Sequence, residues 1–272
     1  MGWGEALDGF VVHEVDPAVR VRVVRAMPAL DVSLDAAVDG LWRVAVERVA
    51  AGGAGALFNG LVFSADRITP TEISGHITEF RRIVAQMERP ELFAALGLRP
   101  LAVCGVLLCA DGVAFGRRHP AAVYQPGLWQ LPPAGSVDPS AVAADRSVDL
   151  AAQVMTELTE EVGIQPDQVA PPRALCVVEH PGSHVSDVGF ALVTALTGAQ
   201  VLLAHRAHAN TEYDPLIVVT LAELADFVGR AGDLMVPSAH VFLVRAGLLP
   251  TPIPGAMGTS GLGPIGIRLS QG

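Results

Sequence analysis

The nine residues Leu101-Ala-Val-Cys-Gly-Val-Leu-Leu-Cys109 carry no charge and almost no polarity. A run that short, closed by the turn Ala110-Asp-Gly112, reads as a strand buried on both faces, with Val113-Ala-Phe115 returning as its hairpin partner. Together with the mixed strands, interspersed helices and long loop that surround this hairpin, it implies an α/β layered domain of the α+β kind. It is not a doubly wound sheet, because strand and helix patterns alternate irregularly along it.

Upstream, residues 17–27 alternate Val with Arg20 and Arg22, the period of a half-exposed strand. Ser33 is a plausible N-cap for a helix whose apolar positions run from Leu34 to Val49, before the breaker Gly52-Gly53. Strand-like passages at Leu57 to Phe63 and Arg67 to His76 precede a helix from about Glu79 to Leu96, interrupted at Pro90. Downstream, a Pro/Gly-rich loop from Pro120 to Ser140 leads to a helix from about Asp149 to Val162, stopped by Gly163. Strands are expected at Ala174 to Glu179, Val188 to Leu196, Val201 to Ala204 and Leu216 to Val219. Thr197-Gly-Ala-Gln200 should be a turn between two of them, and helices should follow at Leu221 to Gly229 and Ser238 to Ala246. The natural divisions are 1–97, an N-terminal α/β region, 98–249, the main domain, and 250–272, a Pro/Gly-rich tail expected to be extended or mobile.

Composition removes several classes of function. With 51% hydrophobic residues the chain is not disordered, and with 28 acids against 18 bases it lacks the basic face that a nucleic-acid polymer needs. Val188 to Ala204 is uncharged, but Gly, Thr and Gln interrupt it, which argues against a membrane span. The sequence opens with acids where a secretory signal has Lys or Arg, so a cytoplasmic protein is expected. Cys104, Cys109 and Cys176 form no CxxC pattern and read as inert buried thiols.

The chemistry concentrates in Leu150-Ala-Ala-Gln-Val-Met-Thr-Glu157-Leu-Thr-Glu160-Glu161-Val-Gly163-Ile164. On a helix, Glu157, Glu160 and Glu161 stand at i, i+3 and i+4 and converge on one face. Leu150, Val154, Leu158 and Val162 would pack another face down. Clustered carboxylates repel one another at neutral pH unless a cation sits among them. The pattern thus points to a hard divalent ion with oxygen ligands, Mg²⁺ or Mn²⁺.

Glu157-Leu-x-Glu160-Glu161-x-Gly163-Ile164 resembles the second half of the Nudix hydrolase box, and Gly127-Leu-Trp-Gln-Leu-Pro-Pro-Ala-Gly135 resembles the strand and loop that usually precede it. The resemblance covers about residues 98–248 and implies a Nudix-like αβα sandwich with an N-terminal α/β extension. Two positions depart from the family pattern. Its Arg is replaced by Thr156 and its first Glu by Val148, and Gly135 lies seven residues too far upstream, so the loop carries an insertion around Ser136 to Arg146. That Arg and Glu pair with each other in the family, and losing both together can be nearly neutral where losing one would strand a charge.

By resemblance, Glu157, Glu160 and Glu161 would ligate metal, joined by the Gly135 carbonyl. Glu161 would be catalytic. Glu212, in the loop before the strand Leu216 to Val219, would serve as base or further ligand, with Glu179 and Asp187 as rivals. The implied reaction is water attack on a diphosphate linkage. Arg118, at the end of the return strand with Arg117, could reach a substrate phosphate. Trp129 could stack on a base, although an aromatic beside Leu-Pro-Pro also reads as core. The spacings His205-x-x-His208 and His180-x-x-x-His184 suit zinc, yet no Cys or second pair accompanies them.

For the substrate, Leu57-Phe-Asn-Gly60 and the element order that follows are similar to the UDP-sugar diphosphatase branch, whereas Pro133-Ala-Gly135 resembles the ADP-sugar one. Both imply a nucleoside diphosphate joined to a second group, cleaved to a nucleoside monophosphate and a phosphorylated product. NAD-like dinucleotides, coenzyme A and prenyl diphosphates share the linkage. The N-terminal region would cover the nucleotide or supply a homodimer surface. The contrasting reading is a nucleotide-binding sensor module without turnover, favoured by Thr156 and Val148 and opposed by the retained glutamates.

Overall fold

The computed structural model describes residues 9–51, 57–120, 122, 124–208 and 211–250. The expected breaker at Gly52-Gly53 and the tail from residue 251 onward lie outside the described residues. The elements are β1 (Val11–Glu14), β2 (Arg20–Val23), α1 (Val32–Ala51), β3 (Leu61–Ile68), β4 (Glu72–Glu79), α2 (Phe80–Glu88), α3 (Phe93–Leu96), β5 (Leu101–Leu108), β6 (Gly112–Arg118), β7 (Trp129–Gln130), β8 (Ala134–Ser136), β9 (Ser147–Val148), α4 (Leu150–Glu157), β10 (Arg173–Glu179), β11 (Ser186–Val193), α5 (Gly198–His208), β12 (Tyr213–Thr220), α6 (Leu224–Ala231) and α7 (Pro237–Arg245).

The apolar run becomes β5, in the middle of a sheet ordered β1-β10-β11-β5-β6-β12, with β7 added to β6 and β8 to β5. It runs parallel to β11 from Leu101↔Ser186 to Leu108↔Val193. Its side chains obey the period of two. Leu101, Val103 and Leu107 enter one core with Leu150, Val154, Leu158 and Val162. Cys104 and Val106 enter the other with Ala239, Phe242 and Leu243 of α7. Helices on both faces of one mixed sheet make the expected α/β sandwich. All three cysteines are buried and free, and burial raises their thiol pKa, to about 12 for Cys109 and Cys176.

A second sheet, β3-β4-β2-β9, is built mainly from N-terminal strands, and its Val21, Phe63 and Ile73 join the same core as α4. Two strand pairings cross residue 97, beside the isolated bridge Ser64↔Pro100. β1 lies antiparallel to β10 from Val11↔Glu179 to Glu14↔Cys176, and β9 pairs β2 at Val21↔Val148.

Three expectations are corrected. Val201 to Ala204 is not a strand and Thr197 to Gln200 is not a hairpin turn; Thr197 precedes α5 and the rest form its start. Residues 201 and 203 would share a face in a strand, but Val201 is fully buried while Leu203 is 64% exposed. Thr197 and Gln200 cap the helix, the Gln200 carboxamide oxygen accepting from Thr197 N at 2.8 Å. The cap of α1 is Asp31 rather than Ser33, since Asp31 Oδ1 accepts from Leu34 N at 2.8 Å and from Ser33 Oγ at 2.6 Å. Among the described residues no helix is long and apolar enough to cross a membrane, and Val188 to Ala204 divides between β11 and α5.

Candidate active site

Asp149 starts α4 by accepting from Ala152 N at 2.9 Å, and the buried Leu150 and Val154 hold the helix against the sheet. After Glu157 the helix widens into a π-helical turn, Leu158–Val162, which ends at Gly163 with φ +79°. The left-handed conformation suits glycine, and a Cβ there would sit 2.9 Å from Ala204 O. Thr159 supports the widened turn through bonds of 3.1 Å from Oγ1 to Met155 O and to Ile164 O.

The widened turn sets the glutamates at different depths: Glu160 is exposed and Glu161 is only 2% exposed, with the charge of Glu160 still acting on Glu157. Glu161 Oε2 accepts from Ala134 N at 2.9 Å, while its Oε1 is buried with no hydrogen-bond partner among the described residues, although the Tyr213 hydroxyl, buried and likewise unpaired there, acts on the same carboxylate. Glu157 Oε1 accepts from the Gln153 carboxamide at 2.7 Å, and its carboxylate lies where a Cβ on Gly135 would be. The structure thus brings Gly135, Glu157 and Glu161 together by pairing β8 with β5 beneath the end of α4.

The electrostatics are those of crowded acids. Burial pushes Glu157 up to about 7; the Gln153 bond opposes this, and the charges of Glu160, Glu212 and Asp138 add to it. Burial, then Glu212, also drive Glu161 well above the ordinary carboxylate range, against the Ala134 N–H. Glu212 is exposed, and its charge acts on both acids.

No group of three or more His, Cys, Asp or Glu side chains is arranged around a common metal position among the described residues. The donor set nonetheless fits a hard cation. It offers an orphaned buried carboxylate oxygen, mutual repulsion that a positive charge would relieve, and the bare Gly135 backbone against Glu157.

No family model matches the chain, and no curated protein does. Among solved structures it is similar to a NUDIX hydrolase from Alicyclobacillus acidocaldarius, at 16% identity over 56% of this chain and 91% of that one, with a TM-score of 0.39. It is also similar to a bifunctional NMN adenylyltransferase/ADP ribose pyrophosphatase from Francisella tularensis, complexed with AMP and a Mn ion. There the identity is 14%, over 60% of this chain and 49% of that one, with a TM-score of 0.37. A C. elegans Ap4A hydrolase matches at 18% identity over 53% of this chain and 98% of that one, with a TM-score of 0.30. Likenesses this distant carry no assignment of activity; the residues of the site have to do so.

Beside Gly135 opens a cleft of about 210 Å³. One wall is apolar and N-terminal, from Val62, Phe80, Ile83 and Met87; the other is polar, with Arg118, Gln130, Tyr124 and Asp187. Arg118 is the only cation among the lining residues, and it donates from Nε to Tyr124 O at 3.1 Å and from Nη1 to the Gln130 carboxamide oxygen. Trp129 is not among the lining residues. Its ring meets Phe227 edge-on at 5.5 Å in the second core, with Arg117 5.9 Å from its centroid, so it stands as a core aromatic.

The remaining acids and histidines separate cleanly. Glu179 takes His184 Nδ1 at 2.7 Å, Arg99 Nε at 3.2 Å and His13 Nε2 at 3.4 Å, which makes it a structural ion-pair hub. Asp187 is bonded to His180 Nε2 at 2.8 Å. His184 stacks on Phe93 at 3.5 Å, so the His180 and His184 rings serve different partners. His205 Nε2 is buried without a partner, and burial lowers its pKa.

Sequence reading missed Ala134, Gln153, Tyr124 and the His180–Asp187 pair. Gln153 had a signal, its i, i+4 spacing to Glu157. The others had none, because the bonds join residues 27 to 56 positions apart or lie in a loop of no regular period.

The two departures from the family pattern have a structural reason. Val148 is buried in β9 opposite Val21, and Thr156 is exposed, its hydroxyl donating to Ala152 O at 3.1 Å. The segment after the insertion is β9, which extends the second sheet by pairing with β2, so neither position is placed to form an ion pair with the other.

Proposed function

We propose that this chain is a Nudix-type hydrolase that cleaves the diphosphate linkage of a nucleoside diphosphate joined to a second group. The observation that carries the reading is Glu161: a buried carboxylate, with one oxygen unpartnered among the described residues, under the charges of Glu157 and Glu212 at the edge of a cleft whose one cation among the described residues is Arg118. Burying such a group is expensive unless a ligand completes it.

Glu157, Glu160 and Glu161, with the Gly135 carbonyl, would hold Mg²⁺ or Mn²⁺. When bound, the cation neutralises phosphate charge and acidifies water. The chain's own groups do the rest. Arg118 binds and orients a phosphate, a task suited to a guanidinium. Glu212 takes the proton of the attacking water, since it is the exposed, solvent-facing acid of the cluster. The apolar wall of Phe80, Ile83 and Met87 gives the flat face of a base a dry surface.

A binding module without turnover is the second reading, favoured because Gln153 and Ala134 already engage Glu157 and Glu161. The deciding experiment is Mg²⁺- and Mn²⁺-dependent release of nucleoside monophosphate from UDP-glucose, ADP-ribose, NAD and coenzyme A, with Glu161→Gln as control. Turnover abolished by the variant supports the hydrolase. Tight binding of one compound without turnover supports the module, and turnover retained by the variant overturns the assignment of Glu161.

A further inference from the structure

On the polar wall of the cleft lies a chain of buried groups that the hydrolytic reading leaves unused. His180 is 2% exposed, Asp187 6% and Ser238 1%. Asp187 Oδ2 accepts from Ser238 Oγ at 2.9 Å and lies 2.8 Å from His180 Nε2. On the other side of the imidazole, Nδ1 is 3.1 Å from the Tyr124 hydroxyl, which is 3.0 Å from Ser183 Oγ.

These contacts assign the protons. The Asp187 carboxylate can only accept, so His180 Nε2 donates to it. The Gln125 carboxamide nitrogen, which can only donate, also faces Nδ1 at 3.4 Å, so Nδ1 is the acceptor and takes the Tyr124 hydroxyl, while Ser183 donates to the tyrosine oxygen. Four separate segments meet in this network, and burying an acid and a histidine together is tolerable only because each is satisfied. Its outer end grips the loop that lines the cleft. Gln125, next to Tyr124, is held at φ +50°, a strained value for a residue other than glycine that surrounding contacts must enforce.

Tyr124 is also the residue whose carbonyl receives Arg118 Nε at 3.1 Å, while Gln130 receives Arg118 Nη1. Two anchors fix the plane of a guanidinium, and a fixed plane is what bidentate capture of a phosphate requires. We propose that Asp187 and His180 are positioning residues which, by holding Tyr124, hold Arg118 in the orientation that binds a phosphate of the substrate. This rests on the reading that the cleft takes a diphosphate. It adds that affinity for the phosphate end is set through a relay of three side chains that act by way of Arg118.

The test is a double-mutant cycle read by calorimetric binding of inorganic diphosphate at fixed Mg²⁺. Tyr124→Phe and His180→Ala should each weaken binding about tenfold, the scale of a misaligned charge-assisted hydrogen bond. In an Arg118→Ala background the same substitutions should change affinity no further. On a hydrolysed substrate, Tyr124→Phe should raise KM and leave kcat within about threefold. Tyr124→Phe keeps the ring and is expected to fold, so the cycle stands even if His180→Ala does not. Additive effects, full affinity in Tyr124→Phe, or no diphosphate binding by the unmodified chain would each overturn the relay. Intact coupling without turnover of any substrate would strike the hydrolytic reading and leave the relay standing.

Discussion

The α-carbon of Gly135 lies so close to the Glu157 carboxylate that a Cβ would overlap both of its oxygens. Gly135 is not in the left-handed region, so its backbone would accept alanine. What alanine would move is the carboxylate. Gly135→Ala is therefore expected to fold with little change in Tm and to lose on the order of 10²-fold in kcat, the usual cost of displacing a catalytic group by about 1 Å. A steady-state assay on any hydrolysed substrate beside a thermal melt checks this; unimpaired turnover would remove Glu157 from the site.

The crowding of Glu157 and Glu161 predicts how the protein responds to cations. A bound divalent ion relieves repulsion only in the folded state, so Mg²⁺ or Mn²⁺ at about 100 times its Kd should stabilise the fold by about 2.7 kcal/mol. That corresponds to a rise of roughly 5–10 °C in Tm, which EDTA should reverse. Glu157→Gln and Glu161→Gln should show little or no response. An equal rise in the variants would mean that the ion binds elsewhere.

Glu179 governs acid stability. Burial alone would raise its pKa, but hydrogen bonds from His13 and His184 and the charge of Arg99 outweigh burial and hold it at about 2. Because the folded value is depressed, the stabilisation is fully present above the unfolded value of about 4.5 and is lost as pH falls from there towards 2. Solvent screening reduces what such a shift delivers, so Glu179→Gln should cost about 1–2 kcal/mol at pH 7. Denaturant titrations at pH 7 and pH 3 should show the gap between variant and parent narrowing at the lower pH. A constant gap would exclude the ionic origin.

Val148 and Thr156 should respond in opposite ways to the residues the family pattern has there. Val148→Glu puts a carboxylate into the core opposite Val21 and is expected to destabilise by about 3 kcal/mol or more. Thr156→Arg changes an exposed position and should stay within about 0.5 kcal/mol of the parent. Chemical denaturation of both single variants and the pair checks this, and stability restored in the double variant would show that the ion pair can still form.

Local pattern alone determined the parts of this protein whose causes are local. The uncharged run from Leu101 could be covered only on both sides, and the structure makes it the middle of the sandwich. The spacing of Leu150, Val154, Leu158 and Val162 ahead of Gly163 placed the acidic helix and its stop, because periodicity and a left-handed terminus belong to consecutive residues. Tertiary structure decided everything that depends on what a segment packs against. The apolar run after Thr197 became α5, which turns Val201 into the core and Leu203 to the surface. The two residues Ser147 and Val148 became a strand because β2 was there to pair with them. The glutamates were legible as a set, but the widened turn that buries Glu161 and exposes Glu160 was not. The Tyr124–His180–Asp187 chain left no trace in sequence, since a hydrogen bond between distant residues is fixed by where the fold sets them down and not by their spacing.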